Sequence, residues 1–164
     1  MPHFKAAALA ALMLGASASA FAASSNDFVT KASEGGVAEV QAGKLAEQKS
    51  QSADIKAFAE MMVKDHTAAN EQLTTLAKKL DLKVEDDATL VAKAKKEILE
   101  LRDESFDKAY VNNQVKAHED TVALFTKESQ SSDNAELKAW ATKTLPKLQA
   151  HLDQARALQA KYNK

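Results

Sequence analysis

The chain has 164 residues, of which 45% are hydrophobic and 27% are charged, a balance typical of one soluble globular domain. Its formal net charge of −1 provides no basic excess to neutralise phosphates, which argues against a nucleic-acid partner. The absence of cysteine excludes disulfides, thiolate metal sites and cysteine nucleophiles.

Residues 1–22 have the pattern of a secretory signal peptide. Lys5 supplies a positive charge, residues 6–16 form a short apolar run, and Ala20-Phe21-Ala22 is a small-x-small cleavage site, with a cut after Ala20 as the alternative. The apolar run is shorter than the roughly 20 residues that span a bilayer, so an uncleaved anchor is less favoured. We therefore expect a signal peptide over 1–22 and a mature periplasmic domain over 23–164 without a membrane span. Peripheral association with the outer membrane stays open.

Four segments of the mature chain carry apolar residues at i, i+3, i+4 and i+7 spacing, which predicts amphipathic helices. Their predicted ranges are 27–50, 54–80, 104–130 and 134–161. Asn26 or Asp27 is the expected N-cap of the first helix, and Asp133 that of the last. The connector over 81–103 contains a shorter helical pattern near 88–101.

The lengths of the connections predict how these helices are arranged. The first and third connections are short, so the helices that they join should be antiparallel neighbours. The second connection is long enough to run the length of a helical bundle. The sequence therefore predicts an all-α fold, an antiparallel four-helix bundle that is ferritin-like, with a short helical crossover between the second and third helices. A simple up-down bundle is the alternative.

One group of residues has the composition of a metal site. His66, His118 and His151 each lie on the apolar stripe of a different predicted helix, and Glu39 lies on the inner line of the first. A rise of about 1.5 Å per residue places all four within about two turns of mid-height. Three imidazoles and one carboxylate are a ligand set for one transition-metal ion, Zn, Cu, Fe or Ni. Small residues flank Glu39 and leave room for a bound group or another backbone; these are Gly35, Gly36, Ala42 and Gly43.

A purely structural interpretation of the same residues stays open. Buried histidines are often hydrogen-bonded core residues, and Glu39 can pair with one of them. Neither a nucleophile elbow nor a glycine-rich phosphate loop is present. The sequence therefore offers this polar group as its one candidate site, without a predicted catalytic residue.

Several motifs, in the same order along the chain, resemble a known bacterial family. They are Gly35-Gly36…Glu39-Val40…Gly43-Lys44-Leu45-Ala46, Lys56-Ala57-Phe58-Ala59…Met62-Val63-Lys64-Asp65-His66, Phe106-Asp107-Lys108-Ala109-Tyr110 and Lys143-Thr144-Leu145-Pro146…His151. Together they resemble a periplasmic ferritin-like four-helix-bundle family of unknown function, often labelled "predicted outer membrane protein". The resemblance implies a helical bundle in the bacterial envelope and brings no established reaction.

The di-iron pattern of ferritin-like proteins is incomplete in this chain. That pattern needs a glutamate on each of two helices and a Glu-x-x-His motif on each of the other two. Glu39 fits, but Val63 stands three residues before His66 and Leu148 three before His151. A weak internal repeat of the two helix pairs places His118 where a second glutamate is needed. Ferroxidase or oxygenase chemistry is therefore not expected.

These observations predict a non-enzymatic envelope protein that binds a metal ion or small ligand at mid-bundle. Two other interpretations stay open: a structural or interaction bundle in envelope stress that binds no ligand, and a metalloenzyme with an altered di-iron-like centre. The sequence identifies no protein partner and is compatible with a homo-oligomer.

Overall fold

A computed structural model describes residues 16–98 and 106–164, and these two ranges contain five α-helices and no strand. The helices are α1 (Ala16–Lys49), α2 (Ala53–Lys79), α3 (Asp87–Ile98), α4 (Phe106–Ser131) and α5 (Ala135–Tyr162). The prediction of an all-helical protein is confirmed, and the short pattern in the connector corresponds to α3. None of the helices described has an apolar stretch long enough to cross a bilayer.

The first helix begins earlier than predicted. Neither Asn26 nor Asp27 caps it, because α1 already starts at Ala16. Residues 16–25 are mostly Ala and Ser without Gly or Pro, so nothing there interrupts a helix. Asn26 instead accepts a hydrogen bond from the backbone N–H of Lys83 at 3.0 Å. Residues 1–15 of the predicted signal peptide lie outside the described residues, and residues 16–22 form the start of α1, so export stays a prediction.

The cap of α5 is Asn134, one residue later than predicted. Its Oδ1 accepts hydrogen bonds from the backbone N–H groups of Glu136 and Leu137 at 3.1 and 3.0 Å. An N-cap side chain reaches the amides of the second and third helical residues, and because α5 starts at Ala135, only Asn134 stands at the required distance.

The helices pack around two apolar clusters. Helix α1 contacts α2, α3 and α4, while α5 contacts α4 and α2. The first cluster contains Ala42, Ala46, Ile55, Phe58, Ala59, Met62, Tyr110, Val111, Val115, Leu152 and Ala155. The second contains Phe28, Val29, Ala32, Leu73, Ala77, Phe125, Leu137, Ala141 and Leu148. Along each of α1, α2, α4 and α5 the two clusters occupy different stretches, so both are built from the same four helices.

Glycine allows α1 and α2 to approach closely. A Cβ atom added to Gly43 would lie 2.7 Å from Val63 Cγ2 and 3.0 Å from the carbonyl oxygen of Ala59. A Cβ atom added to Gly36 would collide with the side chain of Asn70, whereas one on Gly35 would meet nothing within 4 Å. Of the small residues around Glu39, Gly36 and Gly43 therefore make room for α2, which fixes the position of α1 beside the candidate site.

Candidate metal centre

Four buried polar residues lie between the two apolar clusters. In α1, Glu39 falls between Ala32 and Ala42 of the two clusters, and the three histidines hold the corresponding places in α2, α4 and α5. The exposed fractions are 5% for Glu39, 5% for His66, 1% for His118 and 2% for His151. The apolar stripe of each of these four helices thus contains one ionisable residue at the level where one cluster ends and the other begins, and we call these four residues the polar level.

The three histidine rings converge on one point. The ring centroids of His66, His118 and His151 are 5.5 Å apart in each of the three pairs. One ring nitrogen from each lies within 4.8 Å of the other two, close enough to hold a metal ion. Since a Zn–N bond is about 2.0–2.1 Å, nitrogens on one tetrahedral ion are about 3.3 Å apart. The rings therefore need to move inward by only about an ångström to share an ion.

The hydrogen bond of His118 fixes which of its nitrogens is available. Nδ1 lies 2.9 Å from the backbone carbonyl oxygen of Gln114, one helical turn earlier. A carbonyl oxygen can only accept, so Nδ1 carries the hydrogen and donates it. The lone pair is then on Nε2, which is buried without a hydrogen-bond partner among the described residues.

His151 is oriented by a carboxylate from a different helix. Its Nε2 lies 3.0 Å from Oδ2 of Asp65 in α2, so Nε2 carries the hydrogen and Nδ1 carries the lone pair. Nδ1 of His151 is buried without a partner among the described residues. The other oxygen of Asp65 accepts a hydrogen bond from Lys147 at 2.9 Å. Metal-bound histidines usually donate their second N–H to a carboxylate or carbonyl in this way.

His66 completes the set of unpaired nitrogens. Its Nε2 is also buried without a hydrogen-bond partner in the described part of the chain. Leaving a buried polar atom unpaired costs about 1–3 kcal/mol, so one such atom on each of three neighbouring rings is expensive unless it binds something. A cation shared by three lone pairs would satisfy all of them at once.

Burial keeps two of these rings, His66 and His151, in the form that binds metals. Burial, with smaller contributions from the other two histidines, lowers the pKa of His66 to about 3. Burial also lowers the pKa of His151, although the hydrogen bond to Asp65 opposes this. Both rings are therefore neutral near pH 7, and neutral imidazole is the ligand form.

Glu39 lies behind His118 rather than among the three nitrogens. Its Oε1 is 3.9 Å from Nδ1 of His118, and its Oε2 accepts a 2.7 Å hydrogen bond from Nε2 of Gln114. Burial raises the pKa of its carboxyl, which His118 and the hydrogen bond from Gln114 offset only in part. The four predicted residues therefore lie at the same height in the protein, as expected for Glu39, His66, His118 and His151. Glu39, however, lies on the side of His118 that faces Gln114.

Two residues of the site were missed in the sequence analysis. Neither Asp65 nor Gln114 was proposed as a site residue, yet the side chain of Asp65 orients His151 and the side chain of Gln114 donates a hydrogen bond to Glu39. Gln114 stands four residues before His118, and a residue at this spacing lies beside the histidine on the helix surface. No comparable local signal points to Asp65, because its partner His151 lies 86 positions away in the chain.

The sequence comparison places the chain in a family. No curated protein and no solved structure matches it significantly. A match to the family described as domain of unknown function (DUF4142) extends over residues 10–158, which includes all four residues of the polar level. The chain therefore belongs to the DUF4142 family.

Proposed function

We propose that the protein is a non-enzymatic envelope protein that holds one transition-metal ion through His66, His118 and His151. The observation that carries the proposal is the convergence of three buried imidazoles, each with one nitrogen that has no hydrogen-bond partner among the described residues. Three neutral nitrogen donors suit Zn, Cu, Fe or Ni. Compared with the ligand set expected from the sequence, Glu39 becomes a residue that supports His118 instead of a direct ligand.

Burial of the centre supports a role other than catalysis. The histidines are at most 5% exposed and lie between two apolar clusters. Catalytic metal sites keep a coordination position open to water or substrate. Two surface clefts, one lined by Trp140 and Leu76 and one by Val37 and Val91, have none of the three histidines in their walls. An ion held here would stabilise the fold or be stored.

The proposal includes a ferritin-like antiparallel four-helix bundle with α3 in the crossover. Contacts between α2 and α5 support this arrangement, because they are those of two helices that run in opposite directions. The start of α2 contacts the end of α5, and the end of α2 contacts the start of α5. Asp54 pairs with Lys161 and Lys79 with Glu136, at opposite ends of the two helices. The connections α1–α2 and α4–α5 are only three residues long, which supports antiparallel neighbours in both pairs.

The location in the proposal rests on the sequence. The positive Lys5, the apolar run over 6–16 and Ala20-Phe21-Ala22 support export to the periplasm through a cleaved signal peptide. Association with the outer membrane, if it occurs, would be peripheral. Mass spectrometry of periplasmic material should find an N-terminus at Ala23 or within a few residues of it, and an intact Met1–Ala22 segment in the native host would contradict export.

A structural bundle without a ligand is the second candidate. The hydrogen bonds of His118 to Gln114 and of His151 to Asp65 favour it, because they hold two of the rings in place without an ion. Under this alternative, replacing a histidine would change stability equally with and without added metal.

Metal binding separates the two candidates directly. We expect the purified protein, stripped with a chelator and dialysed against Zn²⁺, to retain one equivalent by elemental analysis. H118A and H151A should lose that equivalent, whereas L152A should keep it, because Leu152 is a buried neighbour of His151 without a ligand atom. Zn²⁺ at 100 times its Kd should stabilise the wild type by about 2.7 kcal/mol. A wild type that binds no Zn²⁺, Cu²⁺, Fe²⁺ or Ni²⁺ would refute the proposal.

A further inference from the structure

Imidazole binds a metal ion in its neutral form, so three histidine ligands carry no charge to offset that of a bound cation. A charge buried among apolar groups is strongly destabilised unless opposite charges lie nearby. The nearest carboxylates in the described residues are those of Glu39 and Asp65, each in contact with a different histidine. Neither has a direct place among the converging nitrogens, so both would act through a ring.

The two carboxylates stand behind different rings. Glu39 Oε1 lies 3.9 Å from His118 Nδ1, and Asp65 Oδ2 lies 3.0 Å from His151 Nε2. In each case the carboxylate faces the nitrogen that carries the hydrogen, while the other nitrogen is the one left to bind an ion. The carboxylates therefore stand on two sides of the centre, outside its ligand shell.

The surroundings of the two carboxylates make their electrostatic effects on a bound ion unequal. Lys147, whose side chain is 57% exposed, pairs with Asp65 and opposes part of its negative charge. Glu39 is only 5% exposed, and its partner Gln114 is neutral. A bound cation favours the ionised form of a nearby carboxyl and so opposes the effect of burial on Glu39. Once ionised, Glu39 should act on the ion more strongly than Asp65 does.

We propose that Glu39 and Asp65 make the three-histidine centre selective for a divalent cation over a monovalent one, an inference that rests on the proposed metal site. The attraction between a carboxylate and an ion is proportional to the ionic charge. Removing one carboxylate charge should therefore weaken binding of a divalent ion twice as much, on a logarithmic scale, as binding of a monovalent ion. A residue that only orients a histidine would weaken both equally.

The test compares Zn(II) with Cu(I), two ions that imidazole binds but that differ in charge. Zn(II) affinity is measured by competition with a chromophoric chelator, and Cu(I) affinity by competition with bicinchoninate under anaerobic reducing conditions. E39Q and D65N each remove one charge and keep a side chain of similar shape. E128Q is the matched control, because Glu128 is a buried carboxylate on α4 that pairs with Ser132, ten residues from His118.

We expect E39Q to lower Zn(II) affinity by about 10–100-fold, the usual effect of losing an outer-shell partner. Its Cu(I) affinity should fall by only about 3–10-fold, because half the effect on a logarithmic scale corresponds to the square root of the factor for Zn(II). D65N should show the same inequality with smaller factors, and E128Q should leave both affinities within about twofold of the wild type.

Equal factors for the two ions in both variants, or no change in either, would overturn the inference. If E39Q does not fold, D65N decides alone, because Asp65 is partly exposed. A wild type that binds neither ion would instead refute the metal site itself. If H118A loses binding, while E39Q and D65N each weaken Zn(II) and Cu(I) binding by the same factor, the metal site is supported and only the proposed selectivity is refuted.

Discussion

Asp65 accepts a hydrogen bond from Nε2 of His151 at 3.0 Å and thereby leaves Nδ1 as the nitrogen of that ring free to bind. A residue of α2 thus selects the tautomer of a residue of α5. Three predictions concern this contact and the polar residues near it, and a fourth concerns the packing of α1. All four can be measured on the chelator-treated protein.

The first prediction is that Asp65 contributes more to stability than its surface partner. D65A leaves the buried N–H of His151 unpaired, which should lower the free energy of unfolding by about 1–3 kcal/mol. K147A removes only the exposed member of an ion pair and should cost about 0–1 kcal/mol. Urea denaturation at pH 7 measures both variants, and an equal loss in the two would contradict the assigned role of Asp65.

The second prediction concerns the loss of stability at low pH that His66 causes. The pKa of His66 is about 3 in the folded protein against an ordinary value of 6.5, so the unfolded chain binds more protons between these values. His66 therefore contributes stability that is complete above pH 6.5 and is lost as the pH falls, with a slope of up to about 1.4 kcal/mol per pH unit. Urea titrations between pH 6.5 and 4.5 should show a shallower slope in H66L. The same slope in both proteins would argue against a buried neutral His66.

The third prediction concerns Glu39, whose contribution to stability falls as the pH rises, the opposite of the dependence expected for His66. The pKa of Glu39 is raised above 4.5 in the folded protein, so the folded state retains its proton longer. Its contribution is present below pH 4.5 and is lost as the pH rises through the raised value. E39Q, which stays neutral, should gain stability relative to the wild type as the pH rises, by up to about 1.4 kcal/mol per pH unit. A difference between the two proteins that does not change with pH would count against it.

The fourth prediction compares two glycines of α1. G43A places a methyl group against Val63 and the backbone of Ala59, which should cost about 1–3 kcal/mol. G35A adds its methyl group where nothing lies within 4 Å, and should stabilise the helix by about 0.5–1 kcal/mol. Thermal unfolding of the two variants should therefore move in opposite directions. Destabilisation by both would mean that α1 tolerates no added side chain on either face.

The sequence predicted the helices well wherever hydrophobic periodicity and turn residues agree. The second helix was expected over 54–80 and lies at Ala53–Lys79, because the turn residues Ser50 and Ser52 precede it and its apolar stripe is regular. The start of α1 was predicted wrongly, since Asn26 can cap a helix but is not compelled to do so when the preceding Ala and Ser residues also favour one. Local preference sets where a helix can begin, and the contact of Asn26 with Lys83 is a tertiary one.

The site was predictable in its histidines and not in their supports. His66, His118 and His151 stand out because a histidine on an apolar stripe breaks the pattern. Asp65 follows the pattern of a surface residue, and its side chain is indeed 17% exposed. Its role depends on the pairing of α2 with α5, which helical periodicity does not specify. Metal binding itself stays a prediction.

The polar level has a consequence for how the two halves of the chain are joined. His66 comes from the first helix pair, and His118 and His151 come from the second. An ion bound by all three would cross-link the halves and close a loop of about 50 residues, for which a covalent link would be worth about 4 kcal/mol in chain entropy. In a chain without cysteine, such an ion would be a cross-link that chelators open and that thiol reductants, which cleave disulfides, do not.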